Sequence, residues 1–213
     1  MKKKLVLMFG VVLTAAITLN ACGSSNAVEP KEAADIAVNT IIFNKDVEKY
    51  KNTFGKSATA LQKNNKDTFT KRLAANLEIT DGSMNDEIGS LYDVYTKRAK
   101  EVAKYTSKVT KDDKKNPTVE ISINGLDMAS LQAERLAAFN AEVKADPSIE
   151  KDKNKSAEAI IDGYKTAIPK ANVSKKAVQV QLNLEANEEQ WKMKDDETFA
   201  NNLYRAFFTG TAQ

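Results

Sequence analysis

Cys22 is the one thiol in a 213-residue chain that has no histidine at all. Those two counts decide much of the available chemistry. Without histidine there is no Ser-His or Cys-His nucleophile pair, and the commonest general base and the commonest neutral metal ligand are both missing. Without a second cysteine there is no disulfide and no redox pair. Carboxylates remain. Asp112-Asp113 and Asp195-Asp196-Glu197 bring acids together along the chain, and paired carboxylates can move protons or hold a cation. The first pair sits among lysines in a polar turn. The second group stands at a helix start, where acids complement the helix dipole. Structural roles are therefore the stronger reading of both. Asp152-Lys153-Asn154-Lys155-Ser156 opens like a calcium loop, but the sixth position is Ala157 in place of glycine and the twelfth is Gly163 in place of glutamate. The sharp turn and the bidentate ligand are both lost. No catalytic residue, metal ligand or cofactor is assigned, and the chain reads as non-enzymatic.

The residues before Cys22 have an order of their own. Lys2, Lys3 and Lys4 precede an apolar run from Leu5 to Leu19, and Leu19-Asn20-Ala21 leads into the cysteine. A positive start, a short apolar middle and a small-residue close make a secretory signal peptide. The run is 15 residues long, short of the roughly 20 that a permanent spanning helix needs. Leu19, Ala21 and Cys22 resemble the lipobox of bacterial lipoproteins cut by the type II signal peptidase, with Asn20 differing from the residues usual at its position. The resemblance implies that the Cys22 sulfur receives a diacylglyceryl group and that residues 1–21 are removed. Two acyl chains then hold the protein at the membrane, since each buried CH₂ contributes about 0.8 kcal/mol and a single chain is marginal. It also implies a place on the outer face of the cell membrane, in a Gram-positive bacterium. In some such bacteria signal remnants become peptide pheromones, and the tail Ala15-Ala16-Ile17-Thr18-Leu19-Asn20-Ala21 resembles such a source in general character.

Charge follows from the same boundary. The chain has 32 basic and 29 acidic residues, and three of the lysines lie within residues 1–21. The mature chain, 22–213, carries 29 of each sign. Its neutrality argues against nucleic acid or a polyanionic wall polymer as partner, and it leaves membrane attachment to the lipid. Its 192 residues can bury a real core and suit one domain or two small, intimately packed ones.

The elements that must position any site can be read by period. Residues 22–30 form a short tether, Gly23-Ser24-Ser25-Asn26 at its start. From Lys31 onward Ala33, Ile36, Ala37 and Ile41 recur at helical spacing, then Val47, Tyr50 and Phe54, with Asp46 as a cap between them and Gly55 as a stop. Leu61, Phe69, Leu73 and Leu77 mark one or two further helices. After a turn at Thr80-Asp81-Gly82-Ser83, with Ser83 as cap, the series Met84, Ile88, Leu91, Tyr95, Ala99, Val102 is the clearest helix. Tyr92 and Tyr95 on it are expected to pack against a sheet. Two strands follow, Tyr105–Thr110 and Thr118–Asn124, where Val119, Ile121 and Ile123 alternate with polar residues. Gly125 closes them. Asp127 caps a helix expected to bury Met128, Leu131, Leu136, Phe139 and Val143. Ser156 is expected to cap another, with Ile160, Ile161, Tyr164 and Ile168. A second hairpin pairs Val178, Val180, Leu182 and Leu184 with Trp191 and Met193, which places Trp191 in the core. The last helix carries Phe199, Leu203, Ala206 and Phe207.

Both hairpins have one apolar and one polar face, which defines an α+β domain over residues 31–213 with helices on one face of an antiparallel sheet. A long helix cradled by such a sheet resembles cystatin-like and nuclear-transport-factor-like architectures. The doubled order of helices and hairpin hints at two related halves meeting near residues 125–130. The polar sheet face, with Thr106, Lys108, Glu120, Ser122, Gln179, Gln181 and Lys192, lacks the rings that a sugar or nucleic-acid platform uses.

The lipobox, the passage Ile123-Asn124-Gly125-Leu126-Asp127 and the late Val178-x-Val180-x-Leu182 strand followed by Trp191 resemble a family of small Gram-positive lipoproteins, the domain of unknown function 5105. That family brings no site residues. The leading functional reading is a membrane-anchored, extracytoplasmic, non-catalytic module that binds an envelope protein, a peptide or a small ligand. An extracytoplasmic hydrolase working with Asp and Glu alone is the alternative.

Overall fold

The computed structural model describes residues 28–79 and 81–210. Residues 1–27, and with them Lys2–Lys4, the lipobox and Cys22, lie outside the described residues. Among those described, seven α-helices and four strands follow one another: α1 Pro30–Ile41, α2 Val47–Phe54, α3 Thr59–Asn76, α4 Asn85–Val102, β1 Lys104–Lys111, β2 Thr118–Asn124, α5 Met128–Ala145, α6 Lys153–Ala167, β3 Val178–Asn187, β4 Gln190–Met193 and α7 Asp196–Phe208. None of these helices is long and apolar enough to cross a membrane.

The strands form one antiparallel sheet in the order β1-β2-β3-β4. Both hairpins are in it, joined by β2 against β3, where Ile121 faces Val180 and Val119 faces Leu182. The alternation read from the sequence decides the faces. Val119, Ile121, Ile123, Val180, Leu182, Leu184, Trp191 and Met193 are buried. Gln179, Gln181, Asn183 and Lys192 point the other way and are exposed. The fold is α+β with helices on one face, as the pattern predicts. Three helices cover that face, where one long cradled helix was expected: α1 lies on β1 and β2, α7 on β2 and β3, and α2 on β4. The remaining helices, α3 to α6, stand beyond them, with α4 packed on α3, α6 and α7, and α5 paired with α6.

The sheet and its helices close around a tight crossing. Leu126 is fully buried, its N–H donates to the Phe207 carbonyl at 3.1 Å, and the Gly125 carbonyl accepts from the Ser174 N–H at 2.8 Å. A Cβ on Gly125 would stand 2.4 Å from the Ala206 oxygen and 2.5 Å from that of Phe207. Glycine is required there by the approach of another backbone. At the other end of the sheet the Trp191 indole N–H donates to the Val28 carbonyl at 2.7 Å, and Pro30 opens α1 as its first residue. The last residues assigned to the tether therefore touch the fold.

Several local expectations are corrected. Asp46 stands before α2 but does not cap it: its φ is 56°, and its Oδ2 accepts from the Asn39 amide at 3.0 Å. Ser83 does not cap α4 either. Its N–H and hydroxyl both donate to Asp81 Oδ1, a local turn that outcompetes the cap. The cap of α6 is Asp152, which accepts from the N–H groups of Asn154 and Lys155, while the Ser156 hydroxyl reaches back to the Ile149 carbonyl. Asp127 does cap α5, accepting from the Ser130 N–H, and Gly55 ends α2 at φ 66°. Of the five residues expected to be buried on α5, only Leu131 is. Leu136 is 49% exposed, and Met128, Phe139 and Val143 are half-buried, because α5 rests on α6 alone along most of its length.

Candidate functional site: an aromatic cleft between helices

Of the acids that the sequence brings together, Asp113, Asp195 and Asp196 have structural contacts. Asp113 Oδ1 accepts from the Lys115 and Asn116 N–H groups, and its carboxylate pairs with Lys111. These contacts hold its pKa down to about 2. Asp195 caps α7 through the Thr198 N–H, and Asp196 pairs with Lys56, which lowers its pKa further. Among the described residues, no three His, Cys, Asp or Glu side chains gather where a metal could be held. The polar sheet face is exposed at Gln179, Gln181 and Lys192, with cross-strand pairs such as the Gln179 amide on the Ser122 hydroxyl at 3.2 Å.

The site with a ligand-sized shape is one that no motif marked. Tyr92 and Tyr95 do not pack on the sheet. They face away from it, into rings from α3, α6 and α7. Tyr95 has Phe69 at 5.7 Å, Tyr164 at 6.3 Å and Phe208 at 6.4 Å between ring centroids. Tyr92 stacks on Tyr204 at 5.9 Å and 16°, and Tyr204 on Phe208 at 4.6 Å. Such pairs favour offset and edge-to-face geometry and add to simple burial. They leave a cleft of about 440 Å³, within the size range of small-molecule sites.

The cleft has a floor and a rim. Tyr95, Tyr204 and Phe208 are buried and form the floor. Phe69 and Leu73 of α3, Met128 and Tyr164 make the walls. Tyr164 is clamped from outside: the Gln132 amide donates to its hydroxyl at 2.9 Å, and the Arg135 guanidinium lies 5.3 Å from its ring centre. At the rim stand Arg72 and Arg205. Neither guanidinium has an ion-pair partner among the described residues. Burial pushes the Tyr204 hydroxyl well above its ordinary pKa, with Tyr92 and Tyr95 adding to the rise and Arg72 opposing it. Burial does the same to Tyr95. Both hydroxyls are thus neutral across ordinary pH, and the rim arginines are cationic. No carboxylate is among the residues that line the cleft.

Chemically, such a cleft can take an apolar, planar body against its rings and a negative group at its rim. The only sequence signal for it was the run of aromatic residues on α4 and α7. Tyr92 and Tyr95 read as sheet-packing because periodicity tells which face is buried, not what it is buried against.

An antiparallel sheet roofed on one face by helices, with a helical layer holding a ring-lined cleft, defines this chain as an α+β domain. The chain belongs to the family described as Domain of unknown function (DUF5105), whose model matches residues 21–208. No curated protein sequence matches it. Its fold is similar to the crystal structure of a Bacillus subtilis subsp. subtilis str. 168 protein described as a lipoprotein (ycdA), with a TM-score of 0.67 and 17% identity over 86% of this chain. This chain spans 56% of the length of that protein.

Proposed function

We propose that this protein is a lipid-anchored, extracytoplasmic binding protein that holds a small anionic ligand with a planar apolar body in the aromatic cleft. The single observation that carries the ligand class is the pair of guanidiniums, Arg72 and Arg205, that have no ion-pair partner among the described residues and stand above a floor of rings. An arginine side chain engages carboxylate, sulfonate or phosphate through a planar fork of N–H donors, and the rings supply the apolar area. The anchor rests on the segment from Lys2 to Cys22, on the lipobox pattern, and on the lipoprotein description of the Bacillus subtilis protein with the same fold. The site works by binding: its lining offers donors and rings but no carboxylate to serve as acid or base. On this reading the protein acts at the outer face of the cell membrane, held by lipid on Cys22.

Two measurements test the two halves. For the cleft, the probe is 8-anilinonaphthalene-1-sulfonate, a planar aromatic anion. Saturable fluorescence enhancement at one site, weakened about tenfold in Arg72→Ala and in Arg205→Ala, is expected. Binding that is absent, or indifferent to both arginines, overturns the ligand assignment. For the anchor, cells fed an alkyne palmitate analogue should label the wild-type protein and not Cys22→Ala. Equal labelling of the two, or none of either, removes the anchor.

A further inference from the structure

One edge of the sheet is left half-made. β3 has ten residues and β4 four, and their pairing covers only Leu184 to Asn187 of β3. After Met193 the chain turns away. Its last contact with β3 is the Lys194 N–H on the Asn183 carbonyl at 3.1 Å. In an antiparallel ladder the backbone groups of alternate residues point to opposite neighbours. The Leu184 and Ala186 N–H groups donate toward β2, to the Pro117 and Lys115 carbonyls. Asn183, and by alternation Gln181 and Gln179, point their N–H and C=O groups the other way. No strand pairs with Gln179 or Gln181 on that side among the described residues.

This edge is recessed. Between it and the first turns of α7 lies a groove of about 420 Å³, lined by Gln179 to Asn183 on one wall and by Thr198, Phe199 and Asn202 on the other. Asn202 supplies an unmet acceptor: its Oδ1 is buried and has no hydrogen-bond partner among the described residues. A buried carbonyl oxygen left without a donor is costly. The opposite edge of the sheet is built differently. β1 carries exposed Lys104, Lys108 and Lys111 and a register shift between Val109 and Lys111, devices that keep other strands away. The β3 edge has neutral amides at the corresponding places.

We propose that the open edge of β3 is a strand-addition site for an extended peptide segment of a partner protein. Only an extended backbone offers N–H and C=O groups at the two-residue repeat that Gln179 and Gln181 present. The free stretch from Val178 to Leu182 is about 17 Å long at 3.4 Å per residue, enough for about five residues of peptide. Lys194 and Asp195, at the end of the groove, place one charge of each sign there. A second copy of this chain is a poorer occupant, because its own β3 edge is equally recessed behind its α7 and two recessed edges cannot meet.

The test uses the mature domain and a displayed library of random extended heptapeptides. The tightest binders are resynthesised with N-methyl groups at alternate residues in each of the two registers. One register of methylation should weaken binding at least tenfold, and the other should not. Amide exchange at Gln179 and Gln181 should slow at least tenfold when peptide is added. Gln181→Pro removes one edge N–H without touching the pairing to β2, and it should weaken binding similarly. Circular dichroism checks its fold, and the methylated peptides need no variant at all. The proposal is overturned if no library peptide binds, if binders ignore methylation in both registers, or if the two amides are already protected in the free monomer. Protection that rises with protein concentration alone would assign the edge to a second copy instead. The site is independent of the cleft: Arg72→Ala should leave peptide binding unchanged.

Discussion

The two sides of α7 are built for different ends. Toward the sheet it contacts β2 and β3 and buries Leu203 and Phe207, both fully shielded, with the Phe207 ring edge-on to Phe43 and Tyr105. Toward α3 and α4 it presents Tyr204 and Phe208, buried among rings, with Arg205 beside them at the mouth of a cleft. The first side is closed by fully buried side chains and tolerates no gap. The second keeps a ligand-sized space and, among the described residues, guanidiniums without ion-pair partners. A helix whose period marks both sides as apolar is thus half scaffold and half site.

Disrupting the closed side should have the largest effect. Phe207→Ala should destabilise the domain by about 4 kcal/mol, lowering the melting temperature by roughly 10 °C. Calorimetry measures it, and a loss under about 1 kcal/mol would mean that the sheet-side core is not packed as described. Gly125→Ala should follow at about 2–3 kcal/mol, since the backbone carbonyls of Ala206 and Phe207 cannot retreat without moving α7. Chemical denaturation would show it, and an unchanged midpoint would remove the close approach.

The open side should respond in the reverse sense, with little change in stability and much in binding. Arg72→Ala should leave stability within about 0.5 kcal/mol while weakening the sulfonate probe about tenfold, or about 1.4 kcal/mol. Equal losses in both would erase the contrast between the two sides. The smallest effect belongs to the hairpin turn of β1 and β2. There Asp113 has a folded pKa of about 2, below its unfolded value of ~3.9. Its contribution to stability is present above about pH 4 and is lost as pH falls through about 2. Asp113→Asn should therefore melt slightly below wild type at pH 7 and level with it near pH 2. A gap that persists at pH 2 would rule out the charge as its cause.

Much of this was legible along the chain. The alternation of Val119, Ile121 and Ile123, and of Val180, Leu182 and Leu184, marked both the strands and their buried face. The series Ile88, Leu91, Tyr95, Ala99 marked α4. These signals are local, because a period of two or 3.6 residues is a property of one element. Caps were less legible: Ser83 is engaged by Asp81 in a local turn, and α6 starts earlier than expected, at Asp152, leaving Ser156 inside the helix. On α5, Leu136 was misassigned to the core because an apolar stripe implies a partner and cannot show how far that partner extends.

The sequence by itself determined the single cysteine, the absence of histidine, the balance of 29 basic and 29 acidic residues over 22–213, and the α+β order of elements. These depend on residue identity and near-neighbour spacing alone. Tertiary structure decided where Tyr92 and Tyr95 look, which arginines stand without partners, and where β4 stops short of β3. The cleft joins residues as far apart as Tyr92 and Tyr204, where α3 and α4 meet α7, and no period along the chain encodes that meeting.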